Sequence, residues 1–182
     1  MRKVLTKTFF NRKTLTVAQE LLGKYLVRKI GKREVALKII EVEAYDGPGD
    51  LASHASHGKT ERNKIMFGPA SNFYVYFTYG IHWMLNVVTG PKDYPAAILI
   101  RGAGDISGPA RLTKFLRITG KMNNKPAEPM SGLWFEDRGE LINKRNIKRT
   151  PRIGVNYAGE VWAKKPYRFV LKEKAPTFRK GT

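Results

Sequence analysis

Residues 39–89 read IIEVEAYDGPGDLASHASHGKTERNKIMFGPASNFYVYFTYGIHWMLNVVT. The stretch opens inside a long strand expected over Glu34 to Tyr45. Along that strand Val35, Leu37 and Ile39 lie on one face, whereas Ile40, Val42 and Ala44 lie on the other. A bulge, or a strand covered on both sides, accounts for such a change of parity. Past the change Glu41, Glu43 and Tyr45 project together, because strand side chains alternate with period two. That face is polar where a core would be apolar. Asp46-Gly47-Pro48-Gly49-Asp50 is a turn, and 51–67, with His54, His57, Arg62 and Asn63, reads as a loop containing a helical piece. Gly68-Pro69 breaks it. A hairpin follows: Asn72 to Thr78 outward, Tyr79-Gly80 at the tip, Ile81 to Thr89 back. Tyr74, Tyr76 and Thr78 share one of its faces, and Tyr79 is left in solvent, where a large flat ring invites a partner.

Outward from this centre the pattern stays local. Thr16 with Gln19 forms a capping box for a helix that Gly23 ends. Tyr25 to Ile30 is a strand joined to the long one through Gly31-Lys32. Ala96 to Arg101 is a buried strand, and Gly108-Pro109 opens a helix with Leu112, Phe115 and Leu116 on one side. Leu133 to Phe135, Ile153 to Val155 and Tyr167 to Leu171 read as further strands. The first few residues and 174–182 are expected to fray.

At 182 residues the chain is expected to form one domain, 1–182, able to bury a core without staples. It contains no cysteine, which excludes a disulfide framework and thiolate metal sites and suits a reducing cytoplasm. No secretory signal and no membrane-length apolar run are present, so no membrane partner is expected. The net charge of +19 is unevenly spread. Residues 1–40 carry 11 Lys+Arg against 2 Asp+Glu, residues 140–182 carry 12 against 3, and residues 41–139 carry 11 against 10. A nearly neutral centre between two basic flanks suggests a chemical site framed by a polyanion-binding surface.

Glu43, on a half-buried face beside tyrosines, has the surroundings of a general base, since partial desolvation raises a carboxyl toward working pH. Position alone fits a salt-bridged glutamate as well. Glu41 beside it could make a carboxylate pair, although such pairs usually come from different strands. Asp50, His54 and His57 match no zinc signature, so no metal is expected. A P-loop, GxGxxG and GxSxG are missing, so neither a nucleotide cofactor nor a covalent serine is expected. Rings on a strand face next to a carboxylate make a stacking slot for a planar base.

Taken in order, VEAYDGPGDLASH, TERNKIMFGPASNFYVYFTYGIHWMLNVV, AAILIRG, GPARLTKFLRI and IGVNYAGEVWAKKPYRF resemble the alkyladenine (3-methyladenine) DNA glycosylase family of the mammalian type. The resemblance runs from Phe9 to about Leu171. It implies a mixed α/β (α+β) domain around a curved, largely antiparallel sheet with a protruding hairpin, working as a monomer without a cofactor on double-stranded DNA that contains alkylated purines. It further implies Glu43 as the base that activates water, Tyr45, His54 and Tyr76 around the extruded base, and Asn86 against the amine of guanine. Tyr79 would fill the hole in the duplex, and Arg101 would lie near the flipped nucleotide and its phosphate. The chain departs from the mammalian pattern in a short connection from Arg101 to Gly108 and in His82 after the hairpin tip. A non-catalytic module gripping RNA or single-stranded DNA fits the charge and the tyrosines equally well, but gives the Glu43 carboxylate no role.

Overall fold

The strand anticipated over 34–45 is the spine of the molecule, whose residues 2–172 are described by a computed structural model. In chain order the strands are β1 (Lys3–Val4), β2 (Tyr25–Ile30), β3 (Arg33–Asp46), β4 (Phe73–Thr78), β5 (His82–Val88), β6 (Ala96–Ala103), β7 (Ile106–Ser107), β8 (Leu133–Asp137), β9 (Ile147–Thr150) and β10 (Arg168–Leu171). The helices are α1 (Lys7–Phe10), α2 (Thr14–Leu21), α3 (Pro109–Phe115) and α4 (Gly159–Lys164). The main path of the sheet runs β1-β8-β2-β3-β6-β5-β4, with β10 also on β3, β9 on β10 and β7 on β6. Every described ladder is antiparallel. This is the α+β, largely antiparallel arrangement expected.

β3 takes β2 along its first half and β10 along its second, while β6 pairs with it from Ile39 onward. The parity change has the expected cause, and it is double. Ile39 faces Ala103, Glu41 faces Gly102 and Val42 faces Ile100. Ile40 is therefore the extra residue on β3, and Arg101 the extra residue on β6. Bulges bend strands and re-aim side chains. Gly102 lets the two bulges nest, since a Cβ there would come within 3.3 Å of Glu41 Cβ and Ile40 Cγ1.

The sheet curves until its far strands share one core. Phe73 on β4 and Phe135 on β8 have ring centroids 5.8 Å apart, and Phe10 of α1 lies 5.3 Å from Phe135. All three rings are fully buried, and each such burial contributes roughly 1.5–3 kcal/mol. Residues 124–127 knit this closure, Phe73 N–H donating to the Lys125 carbonyl at 2.9 Å and Asn124 N–H to the Phe73 carbonyl at 2.8 Å.

Several local expectations are corrected. α2 begins at Thr14 rather than after Thr16, with Lys13 as its cap and no side-chain cap bond. The buried Thr14 hydroxyl is instead the acceptor for Thr89 Oγ1 at 3.2 Å, so a tertiary contact sets this helix end. Gly23 does follow the helix, at φ +81, and a Cβ on it would strike Ile142 Cγ1 at 2.4 Å. The hairpin loop holds Tyr79, Gly80 and Ile81, because Thr78 pairs with His82. Phe115 is exposed, whereas Leu112 and Leu116 are buried. Residues 153–155 are loop, and the strand in that region is β9, inside the basic segment. Near the N-terminus Lys3 and Val4 pair with Asp137 and Glu136. The short connection after Arg101 is a tight turn at Gly104-Asp105, with Ala103 paired to Ile106. The tail at 174–182 lies outside the described residues.

One buried ion pair ties distant loops together. Arg152 donates from Nη1 to Asp50 Oδ2 at 2.5 Å and from Nη2 to Asp50 Oδ1 at 2.8 Å, with both side chains fully buried. Removing one partner strands the other charge in the interior, so Asp50→Ala should destabilise the fold by about 3–5 kcal/mol. Denaturant unfolding measures this, and a loss near that of a surface substitution would contradict it.

Candidate active site

Downstream of its bulge, β3 points Glu41, Glu43 and Tyr45 to one side, as the spacing predicts. The Glu43 carboxylate has no solvent exposure. Tyr45 Oη donates to Oε2 at 3.0 Å, the Ile153 N–H donates to Oε1 at 2.8 Å, and Arg101 Nη1 lies 3.4 Å from Oε1. Burial pushes the Glu43 carboxyl up, while Arg101, the Ile153 N–H and the Tyr45 hydroxyl pull it back without cancelling that rise. Glu41 accepts from two guanidinium groups at one oxygen, Arg101 Nε at 2.8 Å and Arg168 Nε at 2.7 Å. The bulge at Arg101 is what brings its head between the two glutamates.

Two hollows that share Tyr45, His54, Tyr76 and Tyr157 in their walls open beside this cluster. The outer one is a groove of roughly 700 Å³ whose walls include Tyr45, His54, Arg62, Tyr76, Tyr79 and Arg101. The inner one measures about 40 Å³ and is walled by Tyr45, His54, Tyr74, Tyr76, Asn86 and Tyr157 among others. The inner space has room for a few waters, so a flat base would have to lie across its mouth or part the rings. Glu43 itself lines neither hollow. Its partners Tyr45, Arg101 and Ile153 all line the groove, so the carboxylate stands one hydrogen bond behind the wall.

The rings form a set. His54 lies edge-on to Tyr76 with centroids 4.6 Å apart, and its Nδ1 is hydrogen-bonded to Tyr74 Oη at 2.9 Å. Part of the imidazole is open, but it opens into the concave groove. Poor solvation there, followed by the Arg62 charge, pushes its protonation down, and it stays neutral near pH 7. Burial drives the Tyr74 phenol up to about 12 and that of Tyr76 higher still, so both remain hydrogen-bond donors. Asn86 is buried, its Nδ2 donating to the Tyr74 carbonyl at 3.0 Å.

Of the residues singled out from the sequence, Tyr45, His54, Tyr76 and Asn86 thus meet around the inner space. Tyr79 stands at the hairpin tip, 88% exposed and at φ +52. A bulky residue in left-handed backbone is rare and strained, and such strain concentrates at functional positions. Arg101 lines the groove, but its guanidinium is engaged by Glu41 and Glu43 rather than free for a phosphate. Asp50 is held by Arg152 and His57 is exposed on the surface. Among the described residues no group of histidine and acidic side chains could hold a metal ion.

Sequence reasoning missed Tyr157, whose hydroxyl donates to the Ala52 carbonyl at 2.9 Å, and Arg152, whose guanidinium lies 4.8 Å from the Tyr45 ring centroid. Nothing in their neighbourhood marks them, because each meets the site from more than a hundred residues away.

The chain is similar to known proteins over most of its length. The family model described as methylpurine-DNA glycosylase matches residues 8–106 and 104–175. A Legionella pneumophila (strain Paris) protein named "Putative 3-methyladenine DNA glycosylase" is 43% identical over 180 residues, covering 95% of this chain and 96% of its own. Proteins of the same name from Methanocella arvoryzae and Anaeromyxobacter dehalogenans (strain 2CP-C) are each 42% identical, covering 91% and 94% of this chain and 91% and 84% of their own.

Proposed function

The chain belongs to the methylpurine-DNA glycosylase family, hydrolytic N-glycosylases whose partner is DNA, and from that premise we propose that it extrudes alkylated purines from the duplex and hydrolyses their glycosidic bond with water activated by Glu43. The observation that carries the reading is the Glu43 carboxylate, desolvated and held one hydrogen bond behind a ring-walled groove. A module that only binds nucleic acid has no use for a buried anion there, since it repels phosphate.

In this mechanism Tyr79 wedges into the base stack while the damaged nucleotide turns out, at a cost of a few kcal/mol that is least for a weakly paired base. The base settles against Tyr45, His54 and Tyr76. Asn86 is held in one orientation, which suits a residue that must reject the amine of guanine. N3- and N7-methylated purines carry a positive charge, so they leave as neutral bases without prior protonation. Water attacks the anomeric carbon as the glycosidic bond breaks, and its proton reaches Glu43 through Tyr45, whose hydroxyl gives its own proton to the carboxylate as it takes one from the water. The ionised carboxylate also stabilises the developing oxocarbenium ion. Arg101 and Arg168 hold Glu41 neutralised beside Glu43, which limits repulsion between the two acids. No lysine nucleophile is invoked, so strand cleavage through a Schiff base is not expected, and the enzyme works as a monomer.

Glu43→Gln keeps the shape of the side chain and removes the base. It should bind lesion-containing duplex with near-native affinity while base release falls by about 10²–10⁴ or more, read by gel shift and by alkali-labile sites under single-turnover conditions. Near-normal excision would remove Glu43 from the chemistry.

The pH dependence follows from the raised Glu43 carboxyl. Only the ionised form accepts a proton, so the excision rate should climb with pH through a midpoint above the ordinary carboxylate range. Arg101→Gln removes a charge that favours ionisation, so this limb should move to higher pH. A limb that stayed put, or moved down, would contradict the assignment.

Tyr79 is exposed, so Tyr79→Ser should change stability by less than about 0.5 kcal/mol. It should nonetheless slow formation of the extruded state, detected with a fluorescent base analogue. Unchanged extrusion would show that the ring does not wedge.

A further inference from the structure

We propose that Arg62 sets the charge preference of the slot, disfavouring cationic bases relative to neutral ones. The inference rests on the reading of the groove as the path of an extruded purine. The Arg62 guanidinium carbon lies 5.5 Å from the centroid of the Tyr76 ring. Arg62 lines the outer groove and not the inner space, whereas Tyr76 lines both. The ring therefore stands between the guanidinium and the deepest part of the slot.

This charge is uncompensated. Arg62 donates from Nη2 to the Phe77 carbonyl at 3.3 Å, and among the described residues it makes no ion pair. Its neighbour Glu61 is engaged by Lys64 at 2.6 Å. The contrast within the same slot is Arg152, which also lies over a wall ring, that of Tyr45, but is neutralised by the bidentate Asp50 pair. One wall thus carries a balanced cation and the other a bare one.

The physical consequence is a penalty that depends on the charge of the base. An aromatic ring attracts a cation through the negative potential of its faces. A guanidinium already beside Tyr76 draws on that potential and also repels a second positive charge directly. A neutral base meets neither effect, because its stacking depends on contact area and dispersion. The field of Arg62 does reach into the slot: after burial, it is the cause that pushes down the protonation of His54, whose ring touches Tyr76. The Glu43 carboxylate acts in the opposite sense, so the two residues together set the balance between charged and neutral lesions.

The test compares single-turnover release of 7-methylguanine and of hypoxanthine from duplexes identical apart from the lesion, at saturating protein, for the wild type, Arg62→Gln and Arg62→Lys. Arg62 is exposed, so both variants should fold, and a thermal melt verifies this. Arg62→Gln should raise the ratio of methylated to neutral base release by about three- to thirtyfold, the range that a lost cation–ring contact spans. Arg62→Lys keeps the charge and should stay close to the wild-type ratio. An unchanged ratio in Arg62→Gln would overturn the proposal. So would an equal fall for both lesions with a shallower salt dependence, which would mark Arg62 as a phosphate ligand instead. A wild type that released neither base would overturn the reading of the site, and the inference with it.

Discussion

The Asp50–Arg152 ion pair is the contact on which the geometry of the site depends. Both side chains are shut away from water, and the pair is bidentate. Its remaining valences are turned inward as well. Arg152 Nη1 also donates to the Ala44 carbonyl at 2.9 Å, and the Asp50 oxygens accept from the backbone N–H groups of Asp46 and Ala52 at 3.0 and 3.1 Å. The turn after β3 and the loop that carries Arg152 are thereby locked on either side of Tyr45. The residue that follows Arg152 is Ile153, whose N–H holds Glu43. A loop with no ladder of its own thus places a hydrogen-bond donor on the key carboxylate. Among the described residues Arg152 Nε has no hydrogen-bond partner, a defect costing on the order of 1–3 kcal/mol, in a guanidinium that lies near both the Tyr45 and Tyr167 rings.

A second constraint is the nested pair of bulges between β3 and β6. Without the extra residue at Arg101, that side chain would follow simple alternation along β6. With it, the guanidinium reaches Glu41 and comes close to Glu43. The arrangement requires near-contact of two backbones, and Gly102 provides it. The electrostatics follow: two acids on one strand face repel each other, and Arg101 with Arg168 sets positive charge against Glu41. Glu43 keeps a raised carboxyl because burial outweighs the favourable contacts around it.

The slot also shows how stability and chemistry compete. A carboxylate raised by burial costs more to keep ionised in the folded chain than in the unfolded one. Its contribution to stability is therefore fully present at low pH and is lost as pH rises through its folded-state value. The fold carries that cost at the pH where the base must be ionised. The same holds for Tyr79 in its left-handed backbone at the hairpin tip. Both departures from local preference sit at the groove, and the shared core that holds Phe10, Phe73 and Phe135 offsets them.

What the amino-acid order determines by itself is whatever depends on neighbours two to about ten residues apart. The parity change in β3, the shared face of Glu41, Glu43 and Tyr45, the hairpin with its tyrosines on one side, and the exposed ring at its tip are all of this kind. Strand alternation and turn chemistry act over that range. Glu43, Tyr45, Tyr76 and Tyr79 were legible for this reason, and so were most strands, whereas His54, Asn86 and Arg101 were marked only by the family resemblance. Only the tertiary structure decided the partners that arrive from afar. Arg152 reaches Asp50 across 102 residues, and the Ile153 N–H reaches Glu43 across 110. It also decided that Arg101 bulges toward the glutamates, that Thr14 starts α2, and that residues 153–155 remain loop. No periodicity records such choices, because they are settled by which surfaces the curved sheet brings into contact once it has closed.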